Sequence, residues 1–195
     1  MQVKLSQAVK MFFGNSSLEM VFFEAIANAL DAEANEITIS ITAKALNQPE
    51  TLQIEISDNG LGFTNERYNK FSKLFDVEES SHKGLGRLVY LCYFDDVKVI
   101  SNYDKVKVRE FDFNEGFKED NFKSSIVPET KSGTVFKMTS YVLQRIAKNE
   151  YVSADYLKSR ILQEFYSRLF HLKDNGQRVV ININTNIENH KKELI

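Results

Sequence analysis

The chain has 195 residues, a length that fits one elaborated domain better than two small ones. It is 43% hydrophobic and 27% charged, which excludes a disordered tail, and 25 Lys+Arg against 27 Asp+Glu leave a net charge of −2, which gives no support for nucleic-acid or anionic-membrane binding. Its single cysteine, Cys92, excludes an intramolecular disulfide and a Cys-rich zinc site, and fits a reducing cytoplasm.

The start, Met1 to Ser6, lacks the apolar run of a targeting signal, and no apolar stretch approaches the ~20 residues of a membrane span. The expectation is a soluble cytoplasmic domain. Asn15, Ser16 and Ser17 offer helix caps, and Leu18 to Ala32, free of Gly and Pro, predicts a helix. Glu36 to Thr42 and Leu52 to Ser57 alternate strictly and predict two strands of a hairpin. Residues 64–83 are polar and weakly periodic and read as short helices in a mobile connection. Gly84 to about Phe94 predicts a helix, and Val97–Ser101 and Lys105–Phe113 predict strands. Residues 114–131 read as loop, and Gly133–Ser140 as a strand. Ser153 is placed to cap a helix from Ala154 to Phe170, and Arg178–Asn184 predicts a last strand. This order suggests an α+β two-layer sandwich, with a mixed β-sheet packed on helices.

Four constellations carry possible chemistry. Glu24, Asn28 and Asp31 fall within roughly 60° of one helix face, between the apolar Phe22, Ala25, Ile26, Ala29 and Leu30. The small Ala27 borders the stripe, and no Lys or Arg occurs between residues 11 and 43. Such a stripe suits a hydrated Mg²⁺ or a base that activates water; taken alone, it is equally an outward wet face. Asp58-Asn59-Gly60-Leu61-Gly62-Phe63 follows a strand. It is either a tight turn, or a place where backbone approaches a ligand and Asp58 accepts an exocyclic N–H. Ser81-His82-Lys83-Gly84-Leu85-Gly86-Arg87 precedes a helix. Its glycines can expose N–H groups to phosphate and Lys83 and Arg87 add positive charge, while the plain alternative is a flexible loop and cap. Gly133-Thr134 opens a strand and means little alone.

Their order is informative. Glu-x-x-x-Asn-Ala-x-Asp-Ala at 24–32, Asp-Asn-Gly-x-Gly at 58–62, Gly-x-Gly at 84–86 and Gly-Thr at 133–134 resemble the GHKL ATPase superfamily and its Bergerat fold. That superfamily includes DNA gyrase, a heat-shock chaperone, histidine kinases and the mismatch-repair MutL proteins. The resemblance implies Mg²⁺-dependent binding and hydrolysis of ATP. It assigns Glu24 as the base for the attacking water, Asn28 as the Mg²⁺ ligand and Asp31 as a supporting acid. It assigns Asp58 to the adenine amino group, with Thr134 assisting through water. Gly60 and Gly62 let the chain pass the base, and Phe63 walls the adenine pocket. Lys83, Gly84, Leu85, Gly86 and Arg87 form the phosphate loop, and residues 64–83 correspond to the ATP lid. Glu24 favours hydrolysis over the histidine-kinase reaction, whose enzymes commonly carry Asn there. Ser81 stands where the family often has a further glycine.

The resemblance also implies an ATP-dependent homodimer. It suggests that residues 1–195, with a core at about 15–184, are one ATP-binding domain of a longer protein, because no following domain supplies a basic residue to the γ-phosphate. The alternatives are a nucleotide-binding regulatory module with little turnover and a histidine-kinase-like domain. His82, His171 and His190 are scattered and form no metal cluster; Cys92 reads as core. Tyr156, Leu157, Ile161, Leu162, Phe165 and Leu169 recur at helical spacing, first as core and second as a docking face.

Overall fold

The computed structural model describes residue 9 and residues 13–73, 85–146 and 148–188. Helix α1 (Glu19–Asp31) leads into β1 (Glu36–Ala43), β2 (Gln53–Asp58) and α2 (Asn65–Ser72). A 3-10 turn at Gly86–Val89 and the short α3 (Tyr90–Tyr93) precede β3 (Phe94–Tyr103), β4 (Lys107–Phe113), β5 (Lys123–Ile126) and β6 (Gly133–Tyr141). The long α4 (Ala154–Asp174) and β7 (Val180–Ile187) follow. The strands form one sheet in the order β5-β4-β3-β6-β2-β1-β7. Neighbours are antiparallel except β1 and β7, which run parallel. This is the expected mixed sheet with helices.

Register makes one face apolar. Ile39 lies opposite Ile56, Ile56 opposite Phe136, Phe136 opposite Val99, and Val99 opposite Phe111. All five are buried and belong to one core with Val21, Phe22, Ala25 and Ile26 of α1. Each large side chain removed from water stabilises the fold by roughly 1.5–3 kcal/mol before entropy is counted. The alternate positions carry charge, as in the exposed pairs Lys137–Glu55 at 3.2 Å and Lys98–Glu110 at 3.6 Å. Strict alternation therefore fixes which face meets the helices.

Several expectations change. Asn15, Ser16 and Ser17 do not cap α1: Leu18 holds the N-cap position, and no side chain bonds there. Ser153 occupies the N-cap of α4, also without a side-chain bond. The helix expected from Gly84 to Phe94 is a 3-10 turn and one α turn, because Phe94 already starts β3 and is fully buried. The stretch 114–131 contains β5, an exposed edge strand too polar to show an alternating pattern. The β3–β4 hairpin turns at Asp104 and Lys105, with φ of 50° and 65°. Asp is a usual first residue of such a turn, but Lys105 stands where glycine is expected.

Helix α4 turns Leu157, Ile161 and Phe165 inward and leaves Leu162, Tyr166 and Phe170 exposed. Cys92, expected in the core, is only partly buried and packs against the core from its margin. Among the described residues no helix is long and apolar enough to cross a membrane.

Helices α1 and α4 are joined by a polar contact and an aromatic one. The rings of Phe23 and Phe165 meet edge to face, with centroids 6.2 Å apart. The buried Glu19 carboxylate accepts from Tyr156 Oη at 2.9 Å and from Arg160 Nε and Nη2 at 3.2 and 3.1 Å. Burial pushes the Glu19 carboxyl up, but the bonds from Arg160 and Tyr156 outweigh it and hold the group below its ordinary 4.5. A lowered value means that the stabilisation is complete above the unfolded pKa and fades as pH falls through the folded one. Glu19→Gln is therefore expected to lower the melting temperature at pH 7. The gap to wild type closes as the pH falls below about 4, which thermal melts across a pH series will read.

Candidate functional site

Helix α1 has three sides in the core, so its remaining stripe faces the segment that enters α3. On that stripe Asn28 Nδ2 donates to Glu24 Oε1 at 3.0 Å. Opposite them lies Gly86. A Cβ at this position would overlap the Glu24 carboxylate, so any other residue would displace that side chain from its place against the 3-10 turn. Burial pushes the Glu24 carboxyl above its ordinary 4.5, while the Asn28 bond and the Arg87 charge oppose that rise. A carboxyl with a raised value, held in a crevice, is suited to accept a proton.

Asp58 ends β2, opposite Thr134 of β6 and Ile37 of β1. Its Oδ1 accepts the Gly60 N–H at 2.8 Å. Burial raises its pKa above the ordinary 3.8, against the Gly60 N–H, the Arg67 charge and the Thr134 N–H. The buried Thr134 hydroxyl lies 3.3 Å from Ser101 Oγ. Ser101 also accepts the Phe63 N–H at 2.7 Å and reaches Gly133 O at 3.2 Å. Asp58, Thr134 and Ser101 thus join the turn after β2 to the middle of the sheet.

The remaining predicted residues have other neighbours. Asn59 closes the turn, accepting the Asn35 and Glu36 N–H groups, each at 3.0 Å. Gly62 has φ 70°, and a Cβ there would strike Asn102 O of β3, so its demand comes from the protein's own backbone. Gly60 packs on Ala32 in the same way. Phe63 lies among the rings of Tyr68, Phe71, Phe111 and Phe136, with centroids 5.0–6.5 Å away. Asp31 turns from Glu24 and Asn28 to an exposed pair with Arg168 of α4 at 2.7 Å. Leu85 packs against the core. Arg87 is 5% exposed and donates to the carbonyls of Lys70 and Lys73, at 3.3 and 3.0 Å, where α2 ends. Burial lowers its pKa to about 10, so it stays charged at pH 7. Ser81, Lys83 and Gly84 lie outside the described residues, as does half of the expected lid, residues 74–83; its described half contains α2, anchored by the buried Tyr68 and Phe71.

The acidic stripe therefore does have counter-charge, brought from distant sequence. Arg67 donates to Asp31 O at 2.9 Å and Asn28 O at 3.4 Å, Arg87 neighbours Glu24, and Arg168 meets Asp31. Sequence reasoning missed Arg67, Arg168, Ser101 and Tyr90. Only Ser101 left a signal, as a serine on the apolar phase of an alternating strand.

Among the described residues no three His, Cys, Asp or Glu side chains gather as a metal cage. The donors present fit a magnesium ion held mainly by a ligand's phosphates. Mg²⁺ keeps several waters and takes one or two protein oxygens, and the Asn28 amide nitrogen already donates to Glu24, which leaves its Oδ1 as the acceptor.

A family model described as histidine kinase-, DNA gyrase B-, and HSP90-like ATPase matches residues 14–140. No curated protein matches the chain in sequence. Among solved structures, the chain is similar to the N-terminal domain of a DNA repair protein at 16% identity and TM-score 0.54, covering 95% of this chain and 53% of that one. It is similar to the Aquifex aeolicus MutL ATPase domain complexed with ADP, at 16% identity and TM-score 0.52, covering 87% and 60%. It is also similar to the topoisomerase IV ATP-binding domain of Francisella tularensis in complex with a small-molecule inhibitor, at 16% and TM-score 0.59, covering 93% and 88%. The chain thus spans a little over half the length of the first two. At these identities the likeness establishes a shared fold.

The raised Glu24 value has a sign that can be tested. An acid whose folded pKa is raised costs stability once pH passes its unfolded value, and costs nothing below it. Glu24→Gln is expected to stabilise the protein at pH 7, by on the order of 1 kcal/mol. The gain vanishes below about pH 4. Denaturant melts at both pH values check it.

Proposed function

Because the chain belongs to the histidine kinase-, DNA gyrase B- and HSP90-like ATPase family, the GHKL superfamily of ATP-binding domains, we propose that it binds ATP with Mg²⁺ and hydrolyses it to ADP and phosphate. The observation that carries this reading is the Glu24–Asn28 pair held against the side-chain-free face of Gly86. One carboxylate, one amide and a bare stretch of backbone converge there. Phosphoryl transfer needs those parts: positioning and charge neutralisation, with little covalent chemistry from the protein.

In this mechanism Asp58 accepts the adenine amino group. Its carboxylate is pinned by the Gly60 N–H and supported by Thr134. Asn28 Oδ1 is the protein's oxygen for Mg²⁺, which would neutralise phosphate charge when bound. Glu24 Oε takes the proton of the attacking water, and its raised value brings it nearer the pH at which it works. Gly86 keeps the crevice narrow, so that the water between Glu24 and the γ-phosphate has few places to sit. Arg87, buried under α2, acts on Glu24 through its charge and does not touch phosphate. ATP binding would favour association of two copies of the chain.

Two substitutions separate binding from chemistry. Glu24→Ala is expected to leave ATP affinity within about twofold of wild type and to lower phosphate release by 10²-fold or more. Equal rates in the two proteins reject Glu24 as the base, and phosphate on a protein histidine in place of free phosphate rejects hydrolysis. Asp58→Asn puts an amide where an acceptor is needed and is expected to weaken ATP binding roughly tenfold or more, read by calorimetry. Unchanged affinity removes Asp58 from the adenine contact.

A further inference from the structure

Tyr90 is the largest fully buried side chain among the described residues, with 0% exposure. Its ring packs on Phe136 with centroids 5.5 Å apart. Its hydroxyl has no hydrogen-bond partner of ordinary geometry. A buried hydroxyl left unpaired costs stability, and a phenylalanine would fill the same space without that cost. Packing therefore accounts for the ring and not for the oxygen.

The place of that oxygen is informative. Tyr90 follows Gly86 by four residues, where the 3-10 turn that meets Glu24 passes into α3. The groups around the hydroxyl are those of the proposed site. The Asn28 amide approaches it, and the charges of Glu24, Arg87 and Asp58 act on it. Asn28 has two amide hydrogens, and one is taken by Glu24 at 3.0 Å. The second faces a buried oxygen whose acceptor capacity is unused.

We propose that Tyr90 is a positioning residue for Asn28: on nucleotide binding its hydroxyl oxygen takes the second amide hydrogen and fixes the carboxamide with Oδ1 toward the cation. An amide anchored at only one hydrogen rotates about its last bond. Anchored at both, by Glu24 and Tyr90, it has its oxygen directed before the ion arrives. This inference rests on the nucleotide reading above and adds to it a residue that no motif contains.

The test is ATP titration of wild type and Tyr90→Phe by calorimetry, each with Mg²⁺ and with EDTA, together with thermal melts. The expected result has three parts. Tyr90→Phe melts no lower than wild type. Its ATP affinity in EDTA is unchanged. The gain in affinity on adding Mg²⁺ falls roughly three- to tenfold. In an Asn28→Ala background, Tyr90→Phe is expected to have no further effect on that gain, because the two residues act as one unit. An equal Mg²⁺ gain in wild type and Tyr90→Phe overturns the inference alone, whereas a wild-type affinity that does not respond to Mg²⁺ overturns it together with the assignment of Asn28 to Mg²⁺. A lower melting temperature with weaker binding in EDTA also overturns it, since that is the signature of packing. Wild-type protein that binds no ATP under either condition overturns the nucleotide reading itself.

Discussion

A carboxylate sits at the contact between a helix and a turn, and the turn has no side chain to displace it. That contact, Glu24 against Gly86, sets much of what surrounds it. Any larger residue at 86 would displace the Glu24 carboxylate from this contact. With glycine, the backbone closes over the carboxylate and burial raises its pKa. Two groups limit the cost. The Asn28 amide donates one hydrogen bond, and Arg87, the next residue along the turn, supplies positive charge from a buried position. Three residues beyond Arg87 the chain reaches Tyr90, whose ring is fully buried and packs on Phe136.

Arginine–carbonyl bonds hold α2 in place. Arg109 donates to Phe63 O, Thr64 O and Asn65 Oδ1 where the helix begins. Arg87 donates to Lys70 O and Lys73 O where it ends, a position at which the helix dipole also favours a cation. Arg67 reaches out of α2 to Asn28 O and Asp31 O, among the last carbonyls of α1. One arginine thus caps the helix that bears the Glu24–Asn28 pair, and another caps the helix beside it. The aromatic residues complete the arrangement: the Arg109 guanidinium lies 4.5 Å from the Tyr68 ring and that of Arg87 4.9 Å from Phe71. A charge buried between a ring face and a carbonyl edge keeps partners on both sides, so it remains tolerable away from water.

The sheet was legible because its rule is local. Glu36–Ala43 alternates along its whole length, and burial follows that alternation residue by residue. Helix α1 was legible for a similar reason, since a run without Gly or Pro has few other states. Its capping was not, because Leu18 starts the helix without help from the three polar residues before it. Glu24, Asn28, Asp58 and Thr134 were legible as a motif series: the structure pairs Glu24 with Asn28 on α1 and sets Asp58 opposite Thr134 in the interior of the sheet. The roles of Gly62 and Arg87 were not. Gly62 is required by the approach of β3, and Arg87 is turned to α2 by the position of Lys73, both facts of tertiary packing. Charge balance was misread for the same reason: a window of 33 residues without Lys or Arg, from 11 to 43, is neutralised by arginines at 67, 87 and 168.

The three acids of the site differ in how firmly they are held, and burial makes the difference. Asp58 is fixed by the strand register, since its neighbours in β1 and β6 are part of the ladder and its oxygen is bonded to the turn it begins. Glu24 is fixed by packing against a turn of only four residues and by one amide. Asp31 is exposed, and its pair with Arg168 is of the kind that contributes roughly 0–1 kcal/mol. An exposed pair of that strength holds its carboxylate loosely, so a ligand arriving at the end of α1 could draw Asp31 away at small cost. Moving Glu24 would instead require the 3-10 turn, Arg87 and α2 to shift together. Asp58 is thus built into the sheet, whereas the place of Glu24 depends on how the Gly86 turn is packed over α1.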